Sequence, residues 1–205
     1  MDSECEMPLT KDAAYSLMQI GRRPRGKASS VRLDPNAYRI RIAREQALKE
    51  PMPIEKITCY VNEFLTALNM LVIKDSRISL KPNSSDAQIH EFIERNLYQP
   101  LHDKYGNCSN LVWMKFTQDG YLGVVAVSND INFDIPASLD GDLCTRNTSG
   151  IIVKSLDKQW DRSFVLAFPL VNIPKGLKRG DIESGIGNYL ISKETAILDF
   201  YSHRY

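Results

Sequence analysis

The residue types best suited to chemistry lie near the C-terminus. A strand is predicted over Ala196–Ser202, and its period of two places three polar side chains on one face. A helix predicted before it, Asp181–Lys193, adds two more, so the candidate catalytic residues are Glu183, Asn188, Asp199, Tyr201 and His203. A carboxylate, a phenol and an imidazole held together can transfer protons. The alternative is a solvated polar face on a terminal strand, without catalysis.

A second group of residues is suited to binding anions. Between Gly21 and Lys49 there are nine basic residues against Asp34 and Glu45, so this segment has a charge of +7 and the rest of the chain −6. Such asymmetry predicts an anionic partner, because Arg and Lys neutralise phosphates and release counterions. The predicted phosphate contacts are Arg22, Arg23, Arg25, Lys27, Arg32, Arg39 and Arg41. The alternative is a solvated arm that contacts the acidic remainder or a second copy.

Two short motifs resemble known sites but lack a required residue. Gly21 to Ala28 nearly matches a phosphate-binding loop, yet Ala28 stands where a hydroxyl should hold magnesium. His90-Glu91-Phe-Ile-Glu94 has a glutamate where a zinc motif needs its second histidine. We therefore predict neither a nucleotide loop nor a metal site from these segments.

The elements that must position these residues indicate an α+β fold. The predicted sheet is mixed or antiparallel, with about three to four packing helices and a flexible basic N-terminal arm. Helical periodicity predicts helices over about 53–69, 85–98 and 181–193, with a shorter one over 12–20. Alternation and turn signals predict strands over 71–73, 78–80, 111–116, 121–127, 131–135, 151–155, 164–170 and 196–202. Two glycines inside the last helix, Gly185 and Gly187, indicate close packing on the sheet or the approach of a ligand.

The region 31–50 allows two interpretations. In the favoured one, Val31 to Ile42 form a β-hairpin around Asp34-Pro35-Asn36, followed by a short helix, Ala43–Glu50. In the other, Asp34 caps a helix that begins at Pro35 and continues to Glu50. The first is favoured because the apolar residues scatter around a helix instead of forming a stripe.

The domain organisation follows from these elements. Residues 1–27 are predicted to be a flexible arm, 28–80 a basic hairpin and helix, and 81–205 an α+β body, with one continuous domain 28–205 as the alternative. The 205 residues are 43% hydrophobic and 25% charged, which suits a globular protein that buries a core. The sequence contains neither a secretory signal nor a long apolar run, and the four cysteines form no CxxC pair. We therefore expect a cytoplasmic protein with reduced thiols and no membrane contact.

Two segments are similar to parts of nucleic-acid-acting families. Ser30-Val-Arg-Leu-Asp-Pro35 resembles the strand-to-helix start of ribbon-helix-helix DNA-binding proteins, which implies a strand pair in the major groove. From Ser85 onward, the predicted order of elements resembles the core of PD-(D/E)XK nucleases. That resemblance implies an acid such as Asp119 or Asp130 on the second strand. It also implies an acidic-x-Lys on the third, where Ile152-Val153-Lys154 lacks the acid.

These observations support one favoured hypothesis and two alternatives. The favoured hypothesis is a nucleic-acid-associated protein that binds backbone phosphates, or another polyanion, through its basic segment. The first alternative is a hydrolase that uses the C-terminal polar cluster; as a nuclease it would need Mg²⁺, and otherwise no cofactor or metal is expected. The second is an interaction module that assembles into a homo-oligomer without catalysis.

Overall fold

The fold consists of helices on both faces of one antiparallel sheet. The structure, a computed structural model, describes residues 8–20, 35–72, 77–79, 88, 91–92, 94–105, 110–128 and 148–199. The helices in these ranges are α1 (Lys11–Gln19), α2 (Pro35–Gln46), α3 (Ile54–Ala67), α4 (Gln99–Tyr105), α5 (Thr148–Ser155) and α6 (Arg179–Ser192). The strands are β1 (Arg77–Ser79), β2 (Leu111–Phe116), β3 (Leu122–Ser128) and β4 (Phe164–Pro169). The α+β prediction is confirmed.

The sheet has the strand order β1-β4-β2-β3, and every neighbouring pair is antiparallel. The predicted hairpin of β2 and β3 is confirmed, with Gly120 at φ +88 in its turn. Alternation along β2 sends Val112, Met114 and Phe116 to one face and Leu111 and Trp113 to the other. Both faces are therefore buried, which requires a layer of helices on each side.

The first layer consists of α1, α3 and α6, and it contributes about half of the main core. The helical periodicity that predicted α3 is confirmed, since Ile57, Val61, Phe64 and Leu65 are buried on one side of it. Its packing partner α1 lies inside the segment predicted as a flexible arm, yet Ala14 and Met18 are fully buried. Residues 8–20 are therefore part of the folded body, because burying this apolar side stabilises α1 against the other two helices.

Gly185 marks the closest approach within the first layer. A Cβ atom added at this position would overlap the ring of Phe64 and lie 2.6 Å from Cγ of Met18. The sequence predicted that the α6 glycines allow packing on the sheet or the approach of a ligand. The contact is instead with α3 and α1, so helix–helix packing explains Gly185.

The second layer covers the opposite face with α2, α5 and Trp160. Ala43 of α2 and Ile152 and Val153 of α5 are buried against Val124 and Trp160. Over β1 and β4, the same face is covered by a π-helical turn, Glu94–Tyr98, and by α4. The predicted 85–98 helix is seen only in part, because most of residues 80–93 lie outside the described ranges.

Residues 35–46 correct the favoured interpretation of the basic region. They form the helix α2, so the predicted hairpin is wrong where the structure describes it, and the alternative helix beginning at Pro35 is confirmed. Ile40 and Ala43 pack on the second face although α2 has no continuous apolar stripe. Tertiary packing and polar anchors therefore determine the helix, and the periodicity that favoured a hairpin was misleading. The strand of the ribbon-helix-helix resemblance lies outside the described residues.

Two predicted strands are also wrong. Residues 151–155, predicted as a strand, belong to the helix α5, because an apolar run of this length suits a buried helix equally well. Lys154 is therefore on a helix, where the PD-(D/E)XK resemblance implied a third strand. The chain over 195–199 makes one parallel bridge, Leu122 to Ile197, in place of the predicted terminal strand. Predictions for 131–135 and 200–205 fall outside the described residues.

Candidate functional site

The C-terminal segment 195–199 places Asp199 at the edge of the sheet. The amide of Leu198 donates to the carbonyl of Leu122 at 2.9 Å, and the amide of Asp199 donates to the carbonyl of Gly123 at 3.0 Å. These bonds continue the parallel bridge to β3 and fix the backbone of Asp199 beside the outer strand. The carboxylate is therefore held by main-chain geometry between the two helical layers.

Three elements meet at this carboxylate. The hydroxyl of Ser149, at the start of α5, donates to Oδ2 of Asp199 at 2.7 Å. The guanidinium of Arg39, on α2, lies 3.5 Å from Oδ1. The side chains of Arg39 and Asp199 are 18% and 4% exposed, so the ion pair is shielded from water. The carboxylate thus joins α2 and α5 to the edge of β3, and we call Asp199, Ser149, Arg39 and Glu183 the Asp199 cluster.

Glu183 is the second carboxylate of the Asp199 cluster, on the first half of α6. Burial raises its pKa to about 7, while Arg179 one turn earlier opposes the rise and the charge of Asp199 adds to it. Burial also raises the pKa of Asp199, and the Ser149 hydroxyl and Arg39 oppose that rise. The charge of Asp199 therefore disfavours ionisation of Glu183 across the boundary between the layers.

This geometry defines what the cluster can do. Glu183 can exchange a proton near neutral pH, the property required of a general acid or base. Asp199, by contrast, is 3% exposed and already engaged by Ser149 and Arg39, so it acts as an anchor and orients its neighbours. Among the described residues, no group of three or more His, Cys, Asp or Glu side chains is arranged to hold a metal ion.

Of the five predicted catalytic residues, Asp199 is buried in the cluster, and Glu183 lies near enough for the charge of Asp199 to raise its pKa. Asn188 lies on the α1 side of α6, where its amide donates to the carbonyls of Leu17 and Ile20 at 3.0 and 3.3 Å. It therefore holds the end of α1 and is separate from the cluster. The remaining two, Tyr201 and His203, lie outside the described residues.

Of the seven predicted phosphate contacts, the structure describes two, Arg39 and Arg41. Arg39 faces Asp199, whereas Arg41 is 63% exposed with a 4.0 Å contact to Glu45 one turn along α2. Arg22, Arg23, Arg25, Lys27 and Arg32 lie outside the described residues. The helix that carries Arg39 and Arg41 thus turns one arginine inward and the other outward.

Ser149 and Arg179 belong to the site and were not predicted from the sequence. The stretch Asn147-Thr148-Ser149-Gly150 has the composition of a loop, and this concealed the start of α5. The useful signal was the pair of hydroxyl residues before the apolar run 151–153, which is typical of a helix N-terminus. Arg179 lies one turn before Glu183, and that spacing was readable once α6 was placed.

No helix among the described residues is long and apolar enough to cross a membrane. No family model matches the sequence, and neither a curated protein nor a solved structure is significantly similar to it.

Proposed function

We propose that this protein binds the phosphate backbone of a nucleic acid through its basic segment, residues 21–49. The observation that carries the proposal is charge separation, with +7 in this segment and −6 in the rest of the chain. A segment with that charge binds polyanions by releasing their counterions, and the acidic remainder helps to direct the polyanion to it.

The exposed side of α2 supports the proposal. Arg41 and Arg44 are exposed, and the contact between Arg41 and Glu45 is at the 4.0 Å limit for an ion pair. Such a surface pair is worth only about 0.3–0.5 kcal/mol, so a phosphate can readily replace the glutamate. Because α2 is a helix fixed on the body, these arginines would have a defined spacing toward the backbone of the nucleic acid.

Arg39 has a different role in this proposal. Its side chain is mostly buried and paired with Asp199, so it anchors α2 and contacts no phosphate. The proposed phosphate-binding set is therefore Arg22, Arg23, Arg25, Lys27, Arg32, Arg41 and Arg44.

Fluorescence anisotropy with labelled single-stranded DNA, double-stranded DNA and RNA tests the proposal. We expect binding at about 50 mM salt that weakens at about 200 mM, with a logarithmic salt slope that reports the number of phosphates neutralised. Charge reversal of Arg22, Arg23 and Arg25 should weaken binding to all sequences about equally and reduce the slope by roughly three. Charge reversal of Arg41 and Arg44 should reduce it by roughly two.

The matched control reverses two exposed basic residues outside the segment, Arg162 and Lys175. It changes the net charge as much as the Arg41/Arg44 variant does. Equal losses in the two variants would show that only overall charge matters, and absence of binding at low salt would overturn the proposal.

A second candidate function is acid–base hydrolysis at the Asp199 cluster. The observation that favours it is the buried carboxylate of Asp199, held by Ser149 and Arg39, together with the partly buried Glu183, whose pKa burial raises to about 7. Labelled nucleic acids and phosphodiester or ester substrates, with and without Mg²⁺ or Mn²⁺, provide the assay. Activity that is lost in Glu183→Gln while the melting temperature is retained would support it; activity unchanged in this variant would exclude the cluster.

A further inference from the structure

A cavity of about 700 Å³ lies on the side of the molecule where α3 begins and α6 ends. Its walls come from the connection between α2 and α3, from the first two turns of α3 and from the last residues of α6. This volume is within the range of small-molecule sites, about 300–1,000 Å³. The cavity shares no residue with the Asp199 cluster or with the proposed phosphate-binding set; Lys49 is the last residue of the basic segment 21–49 but is not a member of that set.

The charges around this cavity favour an anion. Three lysines line it, Lys49, Lys56 and Lys193, against the two carboxylates of Glu50 and Glu194. Lys56 stands in the first turn of α3, where the helix dipole is already positive and a cation is unfavourable. An anion held between Lys56 and Lys49 would offset this unfavourable placement.

An aromatic wall lies beside the lysines. Tyr60 is half-buried and packs edge-on against Tyr189, with ring centroids 6.2 Å apart. The ammonium of Lys193 lies 5.4 Å from the centroid of the Tyr60 ring and 5.5 Å from that of Tyr189. With Met52 nearby, this wall offers a rigid apolar surface to a planar group.

We propose that this cavity binds a small organic phosphate that carries a planar ring, the chemistry of a nucleoside monophosphate. Lys49 and Lys56 take the phosphate, because an ammonium forms charge-assisted hydrogen bonds with its oxygens. Tyr60 and Met52 take the ring. Glu50 and Glu194 accept hydrogen bonds from hydroxyl or amino groups of the ligand. These bonds explain why a site that is otherwise basic contains two carboxylates.

Isothermal titration calorimetry on the full chain tests this proposal, with AMP, GMP, CMP and UMP as ligands and with adenosine and inorganic phosphate as separate controls. We expect at least one nucleotide to bind with a Kd below 1 mM, and adenosine or phosphate alone to bind at least about tenfold more weakly. Lys56→Gln should weaken nucleotide binding about tenfold. Lys49→Gln, in the connection between α2 and α3, should weaken it by the same factor. Lys175→Gln, an exposed lysine elsewhere, is the matched control.

Several outcomes would overturn the proposal. The first is that none of the four nucleotides binds at millimolar concentration. The second is equal affinity for adenosine and AMP. The third is that Lys175→Gln weakens nucleotide binding as much as Lys56→Gln and Lys49→Gln do. The proposed nucleic-acid function is tested separately, because charge reversal at Arg22, Arg23 and Arg25 should leave nucleotide affinity within twofold of the parent. Either proposal can therefore fail while the other stands.

Discussion

The two helical layers cover the same sheet by different physical means. The first layer, α1, α3 and α6, buries apolar side chains and brings helices close enough at Gly185 that a methyl group would overlap Phe64. In the second layer, α2 has few apolar contacts and is held by polar groups. Arg39 pairs with Asp199, and the hydroxyl of Tyr121 lies 3.0 and 2.9 Å from the carbonyls of Ala47 and Lys49.

This difference shows where each layer is vulnerable. Apolar packing tolerates changes of charge but responds to volume, since interiors are close-packed. A buried ion pair tolerates modest changes of volume but responds strongly to the loss of one partner, which leaves the other charge buried and uncompensated. The second layer also carries the proposed phosphate contacts, so its anchors determine whether α2 stays fixed on the body.

The largest effect is expected from removing the anchor of the second layer. Asp199→Ala leaves Arg39 without its carboxylate and Ser149 without its acceptor, so the free energy of unfolding should fall by about 3–5 kcal/mol. Urea denaturation followed by circular dichroism measures it. A fall of less than about 1 kcal/mol would mean that α2 is held by its apolar contacts, as the first layer is.

The double variant Arg39→Met/Asp199→Leu sharpens this test. Replacing both charges by apolar groups removes the desolvation cost along with the attraction, so the double variant should be more stable than Asp199→Ala. A double-mutant cycle gives the coupling between the two positions directly. If the stability losses of the two single variants simply add up in the double variant, a direct interaction between Arg39 and Asp199 would be contradicted.

The next largest effect is expected in the first layer, at Gly185. Gly185→Ala introduces a methyl group into the contact with Phe64 and Met18, and we expect a net loss of about 2 kcal/mol after the gain in helix propensity. Gly180→Ala, in the same helix α6 but with open space around the added methyl, is the control. This control substitution should be neutral or slightly stabilising. Equal changes in the free energy of unfolding at both positions would show that helix propensity, and not packing, determines the effect of Gly185→Ala.

The same difference between the layers explains what the sequence predicted. Elements of the first layer follow the apolar period of a helix, so α3 and α6 were predicted with nearly correct bounds and with their buried residues. The alternating strands β2 and β3 with their Gly120 turn were equally clear. In each case local pattern and tertiary burial agree.

In the second layer the pattern and the packing disagree. In the sequence of α2, Tyr38, Ile40 and Ile42 alternate with arginines as in a strand. The contacts that hold the helix are distant in sequence: Ile40 and Ala43 pack on the sheet, and Arg39 pairs with Asp199, 160 positions later in the chain. The apolar run of α5 is too short to distinguish a helix from a strand. The cluster was half predicted for the same reason: Glu183 and Asp199 are polar residues near one another in sequence, whereas Ser149 and Arg39 reach them only through the fold.

A smaller effect, with a defined pH dependence, is expected where the layers meet at Glu183. Its pKa rises from 4.5 to about 7 on folding, so the folded state binds the proton more tightly than the unfolded chain. The free energy of unfolding should therefore fall as pH rises between about 4.5 and 7 and level off above. The full shift corresponds to about 3 kcal/mol, and because the side chain is only partly buried and water screens it, we expect about 1–2 kcal/mol. Urea denaturation at several pH values measures this slope.

Glu183→Gln supplies the control for this slope. The amide keeps the shape of the side chain but does not ionise, so stability should vary less over the same pH range and exceed that of the parent at pH 8. A parent protein that becomes more stable between pH 5 and 7 would contradict a buried carboxyl with a raised pKa.

The smallest effect is expected at an exposed ionic contact of the second layer, which contrasts with the buried one at Asp199. Asp119, in the turn between β2 and β3, pairs with Lys158 and accepts from the hydroxyl of Thr117 at 2.5 Å. Burial alone would raise the pKa of Asp119, but the hydrogen bonds from Lys158 and Thr117 lower it overall. Its side chain is 50% exposed, so water screens the pair.

Asp119→Asn should lower the free energy of unfolding by about 0.5 kcal/mol at neutral pH and by less at about 1 M salt. The difference from the parent should disappear at acid pH, where the carboxylate of the parent is protonated. A loss of stability as large as that of Asp199→Ala would show that solvent exposure does not determine how much an ion pair stabilises this protein. The difference between the exposed pair at Asp119 and the buried pair at Asp199 would then be contradicted.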